Sequence, residues 1–237
     1  MAGLGEHDNT QHFLAFLDEW NDSLPSVPID HVIADCEKTA FISVDLICGF
    51  CEEGPLASPR VAAIVEPAVD LMQLLWDHKV RHFVLNQDNH PPDAVEFSEF
   101  GPHCVAGTRE AETVEAIKQL PFFDWMTVIL KNSIHSSMNT EFNQWLEKNS
   151  QVDTFVVAGD CTDLCVYQLA MDLKLQANAR QQQRRVILPV NCIDTYDLPV
   201  DVAKRLGILP HPGELMHQIF IYHMALNGVE VVKEILP

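Results

Sequence analysis

Two carboxylates, an imidazole, a lysine and a thiol stand just after short apolar runs of the sequence. Asp45 ends TAFISVDL (39–46), and Asp88 and His90 follow RHFVLNQ (81–87). Lys131 closes MTVILK (126–131), and Cys165 lies in GDCTDLCV, just after DTFVVAGD (153–160). Taken singly, each has an ordinary structural use as a turn former, a solvated end or a core thiol. Their succession at four run ends points instead to acyl transfer. In GDCTDLCV, Thr162 or Asp163 can cap a helix, which places Cys165 in its first turn. The free N–H groups and the positive helix end there are expected to lower the thiol pKa, and Lys131 to lower it further. Asp45 can take the thiol proton and hand it to a leaving amine. The backbone N–H groups of Cys161 and Cys165 can hold an oxyanion. Cys161 is the competing nucleophile, but it lies in the turn rather than on the helix.

A second cluster fills QDNHPPDAVEFSEFGPHCVAGT (87–108). Asp88, His90, Glu96 and His103 offer mixed nitrogen and oxygen ligands, suited to one divalent ion: Zn²⁺ first, with Fe²⁺ or Mn²⁺ as alternatives. The intervening Pro and Gly predict a fixed loop. His135, His211, His217 and His223 are expected to lack such partners. His217 and His223 fall on an amphipathic helix and read as packed or solvated.

These residues need a frame to bring them together. The runs at 39–46, 81–87, 126–131, 153–160, 184–190 and 229–235 read as strands. Between them the spacing predicts helices at 59–79 with a kink at Pro67, near 110–119, and at 139–149, 163–177 and 211–228. The strand cores are continuous apolar runs, as in strands covered on both faces. This alternation predicts one α/β domain over 1–237 with a mainly parallel sheet, whose ligands bind beyond the carboxyl ends of the strands. Residues 1–38 form an added segment; TQHFLAFLDEWNDSL within it reads as an amphipathic helix at an oligomer contact.

Composition bounds the function. A formal charge of −19 over 237 residues repels phosphate backbones and anionic lipid, so neither nucleic acid nor membrane is an expected partner. No apolar run reaches the ~20 residues of a membrane helix, and the first residues lack a secretory pattern. Seven scattered cysteines fit reduced thiols in the cytoplasm better than a disulfide scaffold.

Together the motifs resemble the isochorismatase-like cysteine hydrolases, and among them the nicotinamidases, plant-type ones most closely. The resemblance runs from about Thr39 onward. It is carried by Asp45 with Phe50-Cys51, by Lys131, and by Gly159-Asp160-Cys161-Thr162-Asp163-Leu164-Cys165-Val166. It is carried also by Asp88-Asn89-His90, by Pro102-His103-Cys104-Val105-Ala106-Gly107-Thr108, and by the segments 192–199 and 211–217. The resemblance implies a three-layer, Rossmann-like fold around a six-stranded sheet and a triad of Cys165, Asp45 and Lys131. It implies a cis peptide between Asp160 and Cys161. A metal on Asp88, His90 and His103, with Glu96 as an additional ligand, would hold a pyridine nitrogen. Phe50 and Phe100 would sandwich the ring. The implied reaction is hydrolysis of nicotinamide to nicotinate and ammonia through a thioester; the alternative is another small amide. Two departures stand out. Ile47 replaces a common Gln, and Asp160 stands where many relatives have an apolar residue.

Overall fold

Runs rich in Val, Ile and Phe become strands because branched and aromatic side chains pack well on a pleated surface. Residues 8–237 are described in the computed structural model. Among them the strands, in chain order, are β1 (Ser26–Pro28), β2 (Thr39–Val44), β3 (His82–Asp88) and β4 (Thr127–Lys131), then β5 (Thr154–Gly159), β6 (Arg185–Pro189), β7 (Glu230–Val232) and β8 (Glu234–Leu236). Six form one sheet in the order β4-β3-β2-β5-β6-β7, with every pair parallel. The expected mainly parallel six-stranded sheet is therefore present, and it is wholly parallel. The last run divides: β7 joins this sheet, whereas β8 pairs with β1 of the N-terminal segment. Lys233 separates them, its N–H bonded to the Pro25 carbonyl.

Alternate side chains of the central strands feed two cores. Phe41, Leu85, Val156 and Ala158 pack with the helices Pro59–Ala63 and Val65–Asp77 through Val61, Ala68, Met72 and Leu75. Ile42, Val44, Val157 and Leu188 pack on the other face with helices Phe142–Lys148, Cys165–Ala179 and Gly213–Leu226. β2 and β5 are buried along their full length. β4 differs from the expectation of cover on both faces: it is an edge strand, and Val128 and Leu130 are exposed.

Several helix bounds moved for local reasons. The single helix expected over 59–79 is two. Pro67 has no N–H to offer the Ala63 carbonyl, so the break falls one turn before the proline. The stretch near 110–119 holds only a 3₁₀ turn, Arg109–Ala111, and a short helix, Glu115–Lys118. The C-terminal helix stops at Asn227, followed by Gly228 at φ 84°. The N-terminal segment is helical over Asp8–Asp22. Its Phe13, Phe16 and Trp20 surround Tyr222 of the C-terminal helix, with ring centroids 5.4, 5.9 and 5.4 Å away. Part of the expected oligomer face is thus used within the chain; residues 1–7 lie outside the described residues.

Candidate active site

The chain builds outward from β2 to β3 and β4 on one side, then restarts at β5 on the other. The β2/β5 boundary is therefore the point where the strand order reverses, and a crevice opens at the carboxyl ends there. Asp45 directly follows β2, Asp88 ends β3, Lys131 ends β4 and Asp160 directly follows β5. The backbones of β2 and β5 approach closely at this point. A Cβ on Gly159 would lie 1.9 Å from the Val44 carbonyl oxygen, so only glycine fits. The peptide between Asp160 and Cys161 is cis, as expected.

Lys131 is the hub. Its side chain is fully buried, and Nζ lies 2.7 Å from Asp45 Oδ2, 2.6 Å from Asp88 Oδ1 and 3.5 Å from Cys165 Sγ. Asp45 reaches it from a left-handed backbone, φ 55°, that costs a non-glycine residue roughly 1 kcal/mol or more. Two bonds hold this conformation. Asp45 N–H donates to the Asn86 carbonyl at 2.9 Å, and Asp45 Oδ1 accepts the Asp88 N–H at 2.8 Å. A carboxylate oxygen of Asp45 lies within 4.8 Å of Cys165 Sγ. The structure thus brings together all three residues of the expected triad.

Burial sorts the protons. Burial, then the Asp88 charge, pushes the Asp45 carboxyl up to about 7. Burial would raise Asp88 too, but Lys131 and His90 outweigh it and hold Asp88 below the usual carboxylate range. Two acids on one lysine are therefore driven apart, one ionised and one able to carry a proton near neutrality. Burial also raises the Cys165 thiol, and Lys131 only partly opposes it. This corrects the expected low thiol pKa: desolvation of the buried sulfur is the largest influence on it. The expected cap is also absent. Leu164 occupies the cap position with no side-chain bond, while Thr162 and Asp163 bond elsewhere.

Asp88, His90 and His103 converge as a possible metal group, their ligand atoms within 4.8 Å of one another. His90 Nε2 and His103 Nε2 stand 3.5 and 4.0 Å from Asp88 Oδ2. The far nitrogens are oriented: His90 Nδ1 meets Asn132 Oδ1 at 2.7 Å and His103 Nδ1 meets the Gly101 carbonyl at 2.8 Å. With Nδ1–H donating to these oxygens, both Nε2 lone pairs face the cluster. His90 Nε2 is buried without a hydrogen-bond partner, which fits a ligand atom awaiting a cation. Glu96 lines the neighbouring pocket but is not in this three-residue group. Asp45, Asp88 and Cys165 form a second such group, but Lys131 Nζ already serves all three.

The pocket above Cys165 is walled by Phe50, Leu56, Val61, Phe100, Ile134, Leu164 and Tyr196. Phe50 and Phe100 both line this pocket, with ring centroids 5.8 and 6.3 Å from that of His103. Phe97 was not foreseen. It packs on both imidazoles, 5.5 Å from His90 and 5.6 Å from His103.

The His211 expectation needs correction, since that residue has a carboxylate partner. Its Nε2 is 2.7 Å from Asp163 Oδ2, and its ring stacks on Tyr196 at 3.9 Å. Asp163 Oδ1 accepts the Thr195 hydroxyl at 2.7 Å, and Thr162 Oγ1 meets His217 Nδ1 at 2.8 Å. The turn carrying Cys161 and Cys165 is thus braced by the C-terminal third of the chain. Burial would raise Asp163, but the bonds from His211 and Thr195 outweigh it and hold the carboxyl low. Burial would lower His211, but Asp163 outweighs it and raises the imidazole. The Asp163 contribution is present above its ordinary 3.8 and fades as pH falls through its lower folded value. The His211 contribution is complete below its ordinary 6.5 and is lost as pH rises through its higher folded value. His211→Gln is therefore expected to cost about 2 kcal/mol at pH 6 and less in alkali. Thermal melts across pH test this; equal losses at pH 6 and pH 9 would refute the pair.

Residues 39–201 match the isochorismatase domain family. Nicotinamidase 1 of Arabidopsis thaliana is 31% identical over 232 residues, covering 88% of this chain and 93% of its own. Among solved structures, the pyrazinamidase of Pyrococcus horikoshii in complex with zinc matches with a TM-score of 0.62 and 22% identity. That match covers 83% of this chain and 99% of the other. The N-carbamoylsarcosine amidase of Thermoplasma acidophilum matches with a TM-score of 0.62 and 23% identity, covering 83% and 96%. At such identities these two structures speak for the fold. The family match over the sheet and its crevice, with the Arabidopsis relative spanning most of both chains, shows that this chain belongs to the isochorismatase family.

Proposed function

We propose that this protein is a metal-dependent cysteine amidohydrolase that converts nicotinamide to nicotinate and ammonia. The observation that carries this is Cys165 Sγ on Lys131 Nζ, beside an Asp45 carboxyl able to take up and release a proton near neutrality, beneath an aromatic-walled pocket. The Arabidopsis nicotinamidase relative supports the choice of amide. Asp45 takes the Cys165 proton as the sulfur attacks the carboxamide carbon. Lys131 stabilises the sulfur charge and orients Asp45. The N–H groups of Cys161 and Cys165 hold the oxyanion. Other N–H groups of this turn, those of Thr162, Leu164 and Val166, are spent on carbonyls. Asp45 returns the proton to the nitrogen, ammonia leaves, and a thioester remains. Water then attacks the thioester with Asp45 as base, releasing nicotinate and the thiol.

Asp88, His90 and His103 would hold the divalent ion, with Glu96 as a further ligand from the pocket wall. Zn²⁺ suits this imidazole and carboxylate set, and Fe²⁺ or Mn²⁺ are its competitors. When bound, the ion supplies a Lewis acid for a ring nitrogen, while Phe50 and Phe100 flank the ring.

Ammonia release from nicotinamide, before and after chelation, tests the reading. Chelation is expected to cut release at least tenfold, and elemental analysis names the metal that restores it. His103→Ala is expected to lose most of the bound metal. Unchanged metal content would remove His103 from the ligand set, and no release from the metal-loaded chain would sink the nicotinamide assignment.

We propose further that the protein works in the cytoplasm as a homo-oligomer. Seven unpaired cysteines favour a reducing compartment such as the cytoplasm, and no described helix is long and apolar enough to cross a membrane. The open edge strand β4, with Val128, Leu130 and the neighbouring Trp125 exposed, favours a homo-oligomer.

A further inference from the structure

One acid in the pocket has no role in the chemistry above. Asp160 is 1% exposed, and it lines the same pocket as Cys165. Its Oδ2 accepts the Cys161 thiol at 3.6 Å. Its Oδ1 is buried and has no hydrogen-bond partner among the described residues. Among the described residues no cation pairs with it, and Lys131 is held by Asp45 and Asp88. A buried oxygen left without a partner is costly, and a ligand bonded there would recover that cost. Burial, then the Asp45 charge, pushes the Asp160 carboxyl well above the usual range, so it stands neutral. With Oδ2 accepting the thiol, the carboxyl proton falls on Oδ1 and makes it a donor. A neutral acid kept as a donor in a dry pocket is a known use of a buried carboxyl.

We propose that Asp160 is a specificity-determining residue whose Oδ1 bonds an acceptor atom of the substrate beyond the carboxamide. The preferred substrate is then a small heteroaromatic carboxamide with an added ring hydroxyl. This rests on the amidohydrolase reading and narrows it. A pocket built to bond a polar group discriminates against the analogue that lacks it, because the pocket group is left unpaired.

The test compares kcat/KM for nicotinamide and for ring-hydroxylated nicotinamides, using the full metal-loaded chain. The wild type is expected to favour at least one hydroxylated amide by about tenfold or more. Asp160→Ile is expected to erase that preference by lowering kcat/KM for the hydroxylated amide while leaving nicotinamide turnover in place. Asp160→Asn, which can still donate, should keep part of it. Asp160→Ala carries the same comparison should the isoleucine variant fail to fold. A ratio unchanged across these variants overturns the proposal, and so does a wild type with no preference. If no amide releases ammonia, the amidohydrolase reading falls separately. Calorimetric binding of the same amides to Cys165→Ala, with and without Asp160→Ile, then decides the role of Asp160: a shifted affinity ratio supports it and an equal one overturns it.

Discussion

Cys165→Ala is expected to lower kcat for amide hydrolysis by about 10⁴-fold or more, with the fold intact. The magnitude follows from the role: without the sulfur no thioester forms, and the oxyanion donors and pocket alone give only residual catalysis. The fold should survive because the change removes one buried sulfur from a helix whose core contacts run through Val166, Leu169, Ala170 and Leu173. Lys131 also keeps both carboxylate partners. A loss of about 1 kcal/mol or less is expected in denaturant titrations, in line with a small cavity. The decisive readout is a burst of ammonia, one equivalent per site, in the wild type and its absence in the variant. Turnover within tenfold of wild type would mean that Cys165 is not the nucleophile, and Cys161, buried in the turn, would be next to test.

The strand ends were the legible part of this molecule. Asp45, Asp88 and Lys131 lie beyond runs whose apolar continuity marks buried parallel strands, so their convergence follows from topology alone. Cys165 was placed by its motif and by the strand, turn and helix around it. Three features escaped for physical reasons. Burial of β4 on both faces was expected from its apolar residues, but sheet order decides which strands are edges. The acidity of Cys165 was judged from the helix end, a local effect, whereas desolvation comes from packing across the whole crevice. Asp163 and His211 are 48 residues apart, and no periodicity links a turn residue to a distant loop histidine. Phe97 could have been suspected, since it lies between Glu96 and Phe100 in the loop that carries His90 and His103.

Lys131→Met should produce the largest loss of stability. The lysine stands between two carboxylates that are 1% and 2% exposed, and both contacts are shorter than 3 Å, at 2.7 and 2.6 Å. Removing one partner of a buried ion pair strands the remaining charge, at a cost of about 3–5 kcal/mol. The metal-free protein is the form to measure, since a divalent ion on Asp88 would mask part of the effect. The loss should depend on pH. Without Nζ, both acids are raised further in the folded state than in the unfolded chain. The folded state then binds the extra protons, so the variant recovers stability as pH falls. Lys131→Arg should rescue little, because a planar guanidinium cannot place one point charge against Asp45, Asp88 and Cys165 together. Lys131→Met combined with Asp45→Asn should regain part of the loss, and the difference from the single variants measures their coupling. Additive losses, or a melting temperature unmoved at neutral pH, would show that the lysine does not hold the two acids together. A single Lys131→Met variant that stays folded and still fails to release ammonia would separate the structural role of Lys131 from its role beside the sulfur.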